Sequence, residues 1–164
     1  MSMHYWTEQV FGMDNKQFEM FDEKKLLKFL LDNDNKFGDI ERHLRDYYAN
    51  LGESVEDNLE CIDLDAVFED FEDGYGVRGL HAAFCEALNS FAVKRNGEEK
   101  GTAMEFCATL MNEEGEYAIG VYYVIPGTIL PFTTKELCKT FKDAAREIGI
   151  DNFFPDYCSV EMYG

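Results

Sequence analysis

A chain of 164 residues, 46% hydrophobic and 15% aromatic, has the length of one domain and ample material for a packed core, which argues against disorder. Its formal net charge is -18, from 33 acids against 15 Lys and Arg. Such a charge repels phosphate, so direct nucleic-acid binding and adsorption to anionic membranes are poor functions for it, and a basic protein partner is a better one.

Met1 to Asn15 has no clear period and is expected to be an anchored tail that packs Tyr5, Trp6 and Phe11. A first helix is predicted from about Lys16 to Asp32, with Phe18, Phe21, Leu26, Phe29 and Leu30 on one face. A loop rich in Asp and Asn follows. The second helix, Asp39 to Asn50, carries Ile40, Leu44, Tyr47 and Tyr48 at i, i+4, i+7 and i+8, with Gly52 as a stop. A third, from about Leu64 to Glu72, places Leu64, Phe68 and Phe71 together. Gly74, Gly76 and Gly79 make a turn, and a fourth helix runs from about Leu80 to Phe91.

The character changes after Arg95. Asn96-Gly97 signals a turn. Thr102 to Met111 alternates, Asn112 to Glu116 is a hairpin loop, and Tyr117 to Ile125 is rich in β-branched and aromatic residues, as strands are. Thr133 and Glu136 form a capping box for a helix that ends near Ile148, with Leu137, Phe141, Ala144, Ala145 and Ile148 inward. Ser159 to Tyr163 is a last strand. Strands do not alternate regularly with helices, so the expected class is α+β: a helical half over 1–95, then a small, mainly antiparallel sheet over 96–164 built from a β-hairpin and a C-terminal strand, with a packed helix. One domain, 1–164, contains both parts.

The charge is concentrated. Between Asp46 and Val77 there are eleven acids and no Lys, Arg or His, whereas 22–45 holds six acids and six bases. The acids alternate with apolar residues at helical spacing, so a folded acidic face is expected rather than an acidic tail. Neighbours at i+3 or i+4 on a helix lie about 5–6 Å apart. That is on the scale of phosphate spacing along a nucleic-acid strand. The candidate partner-binding residues are Asp57, Glu60, Asp63, Asp65, Glu69, Asp70, Glu72, Asp73 and Tyr75. Tyr75 and Phe71 supply anchors, tyrosine being enriched at interfaces.

Other motifs fail on chemistry. Gly74 to Gly79 matches G-x-G-x-x-G, but Phe68 to Asp73 before it is an anionic, poor strand that would repel a pyrophosphate. Asp32 to Gly38 resembles the start of a calcium loop, yet Lys36 stands where an oxygen ligand belongs and His43 occupies the twelfth place. His81 and Cys85 are four apart on one helix, but no third group orients them and no zinc-ligand spacing surrounds them. The five cysteines are widely spaced without C-x-x-C, which reads as reduced, mostly buried thiols. No cofactor, metal or catalytic group is expected. The N-terminus lacks a signal-peptide pattern and no apolar run nears the roughly 20 residues of a membrane span, so a cytoplasmic location is expected.

The favoured expectation is an acidic inhibitor that mimics phosphates and blocks a basic nucleic-acid groove on a nuclease, a restriction or CRISPR effector, or another DNA-binding protein. An immunity or antitoxin-type protein against a basic toxin would show the same face. A small enzyme or ligand-binding domain with its site near His81 and Cys85 is the third possibility.

Overall fold

The computed structural model describes residues 2–34, 38–71, 76–122 and 129–164. Strand β1 (Tyr5–Asp14) leads into helices α1 (Asn15–Phe18), α2 (Glu23–Asp32), α3 (Asp39–Asn50), α4 (Val55–Asn58), α5 (Leu64–Val67), α6 (Gly79–Asn96) and α7 (Glu98–Met104). Strands β2 (Cys107–Leu110) and β3 (Tyr117–Tyr122), helix α8 (Thr134–Glu147) and strand β4 (Asp156–Tyr163) complete the α+β fold. The sheet has the order β2-β3-β1-β4 and every pairing in it is antiparallel. Among the described residues no helix is long and apolar enough to cross a membrane.

The N-terminal segment expected as a tail is instead a central strand. It pairs with β3 through Val10–Asp14 and with β4 through Tyr5–Gly12. Its period is hidden because both faces of the sheet take apolar groups. Met13, Ile119 and Val121 face the main core with the helices, while Val10, Ala118 and Val160 form a second small cluster on the other face. That second cluster exists because the sheet curls. The amide of Glu161 on β4 donates to the carbonyl of Met111, just past β2, over 2.8 Å, although β2 and β4 are opposite edges of the sheet. Gly12 and Gly120 face each other where β1 crosses β3. A Cβ on Gly12 would lie 2.0 Å from the Ile119 carbonyl oxygen, so this crossing admits no side chain.

The first predicted helix is two helices. Asp14 and Gln17 form a capping box on α1, and Asp22 caps α2 by accepting from the Lys25 amide, so the chain restarts inside an unbroken apolar pattern. Helix α3 has the bounds read from the sequence, and the Asp34 carboxylate accepts from the Ile40 and Glu41 amides at its start, both over 3.0 Å. The acidic-looking Asp32 to Gly38 loop thus has a capping use for Asp34; residues 35–37 lie outside the described part. The capping box of Thr133 and Glu136 is present on α8, whose Leu137, Phe141, Ala144 and Ala145 are buried.

Helix α6 is longer than predicted. Gly97 then turns the chain into α7, so the strand predicted from Thr102 begins only at Cys107. Asn89 fixes this entry: its side chain accepts from the Phe106 amide (2.8 Å) and donates to the Phe106 carbonyl (3.1 Å). Of the cysteines, Cys85 is buried, Cys107, Cys138 and Cys158 are half-buried, and Cys61 is exposed, all as free thiols. The expectation that most are buried is therefore corrected.

Candidate functional site

The acidic stretch is folded, but less of it is helix than the spacing implied. Helix α5 stops at Val67 rather than near Glu72. In a continuing helix the Val67 carbonyl would accept from the Phe71 amide. Here the His43 ring on α3 donates to that carbonyl over 2.8 Å, and the Phe71 amide turns to the Phe68 carbonyl. His43 also stacks on Phe68, with ring centroids 5.5 Å apart, and meets Phe71 edge-on. Gly79, at the start of α6, packs so tightly here that a Cβ would lie 1.5 Å from the Phe68 carbonyl oxygen. The last glycine of the G-x-G-x-x-G match thus has a packing reason. Gly74 lies outside the described residues.

Nine of the eleven acids fall within the described residues, and all nine are exposed. They do not behave alike. Asp63 caps α5 by accepting from the Ala66 amide (3.1 Å), and the Asp57 carboxylate accepts from the Ser54 hydroxyl (2.6 Å). Glu56 pairs with Arg45 at 3.0 Å and Asp65 with Arg78 at 3.6 Å. Its own backbone amide and the Arg45 guanidinium hold the Glu56 carboxyl below the usual carboxylate value. Among the described residues no ion pair reaches Asp46, Glu53, Glu60, Glu69 or Asp70. Glu72, Asp73 and Tyr75 lie outside the described residues.

Tertiary contacts bring some of these acids together and add others. Asp46 of α3 and Asp70 of the turn after α5 line one shallow depression of about 400 Å³ with Asp39, Glu86 and Phe71. Arg42 and His43 also line it, and Arg42 is ion-paired with Asp39. Asp39 and Glu86 were absent from the sequence-derived set. Glu86 carries a readable signal: it is exposed between buried Cys85 and Ala87 on a helix that is otherwise mostly apolar. Asp39 sits in the charge-balanced stretch, and nothing in the sequence marks it. Phe71 is half-buried against His43 and Phe68, so part of its ring serves packing rather than an external partner.

His81 and Cys85 are both buried on α6. The His81 ring lies 3.6 Å, centroid to centroid, from that of Tyr117, and its Nδ1 has no hydrogen-bond partner among the described residues. Burial, with the nearby Arg78 charge, pushes its pKa down to about 3. Burial pushes the Cys85 thiol up. An activated cysteine–histidine pair needs the opposite shifts, a thiolate beside an imidazolium. No group of three or more His, Cys, Asp or Glu able to hold a metal ion occurs among the described residues.

No family model matches the chain, and no curated protein or solved structure matches it either.

Proposed function

We propose that this chain is an acidic binding protein that occupies the basic nucleic-acid groove of a partner, its carboxylates standing in for phosphates. The partner class is a nuclease, a restriction or CRISPR effector, or another DNA-binding protein. The mechanism is competition for the groove, with no chemistry. The observation that carries this reading is the group of exposed acids Asp46, Glu53, Glu60, Glu69 and Asp70, which no ion pair neutralises among the described residues. Two of them, Asp46 and Asp70, meet at one depression from separate elements. Like charges on one surface repel, and a surface that keeps them attracts a cationic partner at long range.

The experiment is capture of basic nucleic-acid-binding proteins by the wild-type chain and by the double variant Glu69→Lys, Asp70→Lys, eluted with salt and with duplex DNA. Binding that DNA and salt both release, and that the double variant lacks while still folded, supports the reading. Retention that ignores salt, DNA and charge reversal overturns it. An immunity protein against a basic toxin would share the surface and the salt dependence, but DNA would release only a partner whose nucleic-acid site is the one covered.

A further inference from the structure

A second surface, outside the 46–73 stretch, combines acids with aromatic rings. Where β1 and β4 end beside the β2–β3 hairpin, a cleft of about 590 Å³ is lined by Tyr5, Trp6, Tyr163, Glu113, Glu114 and Glu161, among others. Among the described residues no Lys or Arg lines it. The three rings are unusually open for their size: Tyr5 is 67%, Trp6 44% and Tyr163 46% exposed.

The cleft is held in shape by the fold. The Glu161 amide bond to the Met111 carbonyl ties β4 to the hairpin, which sets the hairpin glutamates beside the aromatic strand ends. The Asn112 side chain accepts from the Glu114 amide (3.0 Å) and so braces the loop. Tyr5 and Tyr163 meet edge-on with centroids 5.1 Å apart, and the Tyr163 hydroxyl donates to the Glu161 carboxylate over 3.1 Å. No ion pair among the described residues involves Glu113, Glu114 or Glu161.

Carboxylates beside exposed aromatic faces suit one side chain above others. A guanidinium is planar, stacks on indole and phenol rings, and pairs with carboxylates through two parallel hydrogen bonds. We propose that this cleft docks an arginine side chain presented by a protein partner, with the guanidinium against the Tyr5 and Tyr163 rings, which share one face of the β1–β4 pair, and paired with the glutamates around it. The complementarity is one of charge: three carboxylates that no ion pair reaches among the described residues stand beside three exposed rings, on a chain of net charge -18. This docking site does not depend on the acidic surface around α5, and the two are separable by mutation.

Trp6 is the only tryptophan, so its fluorescence reports on the cleft directly. The full chain is titrated with a short arginine-rich peptide and with the same peptide carrying citrulline, which is neutral, at each arginine. A saturable change in Trp6 emission is expected for the arginine peptide alone. Removing charge with Glu113→Gln, Glu114→Gln and Glu161→Gln together should weaken binding about tenfold, from three exposed pairs. Glu69→Gln with Asp70→Gln should leave it unchanged. No saturable response in the wild-type chain, an equal response to citrulline, or a loss in the Glu69/Asp70 variant instead would each overturn the proposal. The wild-type titration decides this even if the triple variant does not fold.

Discussion

The Arg45 guanidinium lies 2.9 Å from the Glu41 carboxylate and 3.0 Å from that of Glu56. Arg45 is the last cation before the base-free stretch. By reaching from α3 to α4 it brings a positive charge back among the acids, as Arg78 does from the other end at Asp65. Both pairs are exposed, so each adds little to stability. Their main consequence is electrostatic: they weaken the negative potential of the surface proposed to meet a basic partner.

Arg45→Gln should therefore leave the urea midpoint nearly unchanged and speed association with a basic partner. The salt dependence of that association should steepen. Stopped-flow binding at two ionic strengths measures both. An unchanged association rate would show that the Glu41–Glu56 region takes no part in attracting the partner.

His81 makes the fold sensitive to acid. Below about pH 6.5 the unfolded chain takes up a proton at His81 that the folded chain refuses until about pH 3. Protonation thus favours unfolding across that window, and stability is lost as the pH falls through it. The limiting slope is about 1.4 kcal/mol per pH unit. Urea unfolding of wild type and His81→Leu between pH 7 and pH 5 tests this. The wild type should lose stability and the variant should lose markedly less; parallel curves would mean that His81 is protonated in the folded chain.

Gly12→Ala should destabilise the fold by about 3 kcal/mol, the upper range for forcing a group into a filled site. The new methyl would meet the backbone at the Ile119 oxygen, which cannot swing aside as a side chain can. The same strain applies at Gly120, where a Cβ would lie 2.2 Å from the Phe11 oxygen. Thr7→Ala, at an exposed position of the same strand, should change the urea midpoint little. Equal midpoints for Gly12→Ala and wild type would contradict the close crossing of β1 and β3.

Asn89→Ala should cost about 2 kcal/mol in urea unfolding, because it leaves the Phe106 amide and carbonyl without their side-chain partner beside a buried ring. Asn89→Asp keeps the acceptor and loses the donor, so an intermediate loss is expected. No loss in either variant would mean that water replaces the clamp freely.

Local chemistry written in consecutive residues could be read directly. The α3 bounds, the Thr133/Glu136 capping box, the hairpin loop and the inward face of α8 all rest on contacts within a turn or two of chain. So does the concentration of acids between Asp46 and Asp73, since charge is counted, not folded. The α+β class followed from the same local patterns.

Long-range contacts decided the rest. β1 could not be read because its two faces feed different apolar clusters, which erases the alternation that marks a half-buried strand. α5 ends at Val67 because His43, from a different helix, takes the carbonyl that would continue it. The acidic surface changes for the same reason: Arg45 and Arg78 enter it, Asp57 and Asp63 are engaged in caps, and Asp39 and Glu86 join Asp46 and Asp70. The sequence alone determined how much negative charge the stretch holds. Only tertiary packing decided which carboxylates stand unpaired and which of them share a surface, because pairing and depth depend on distances between elements far apart in the chain.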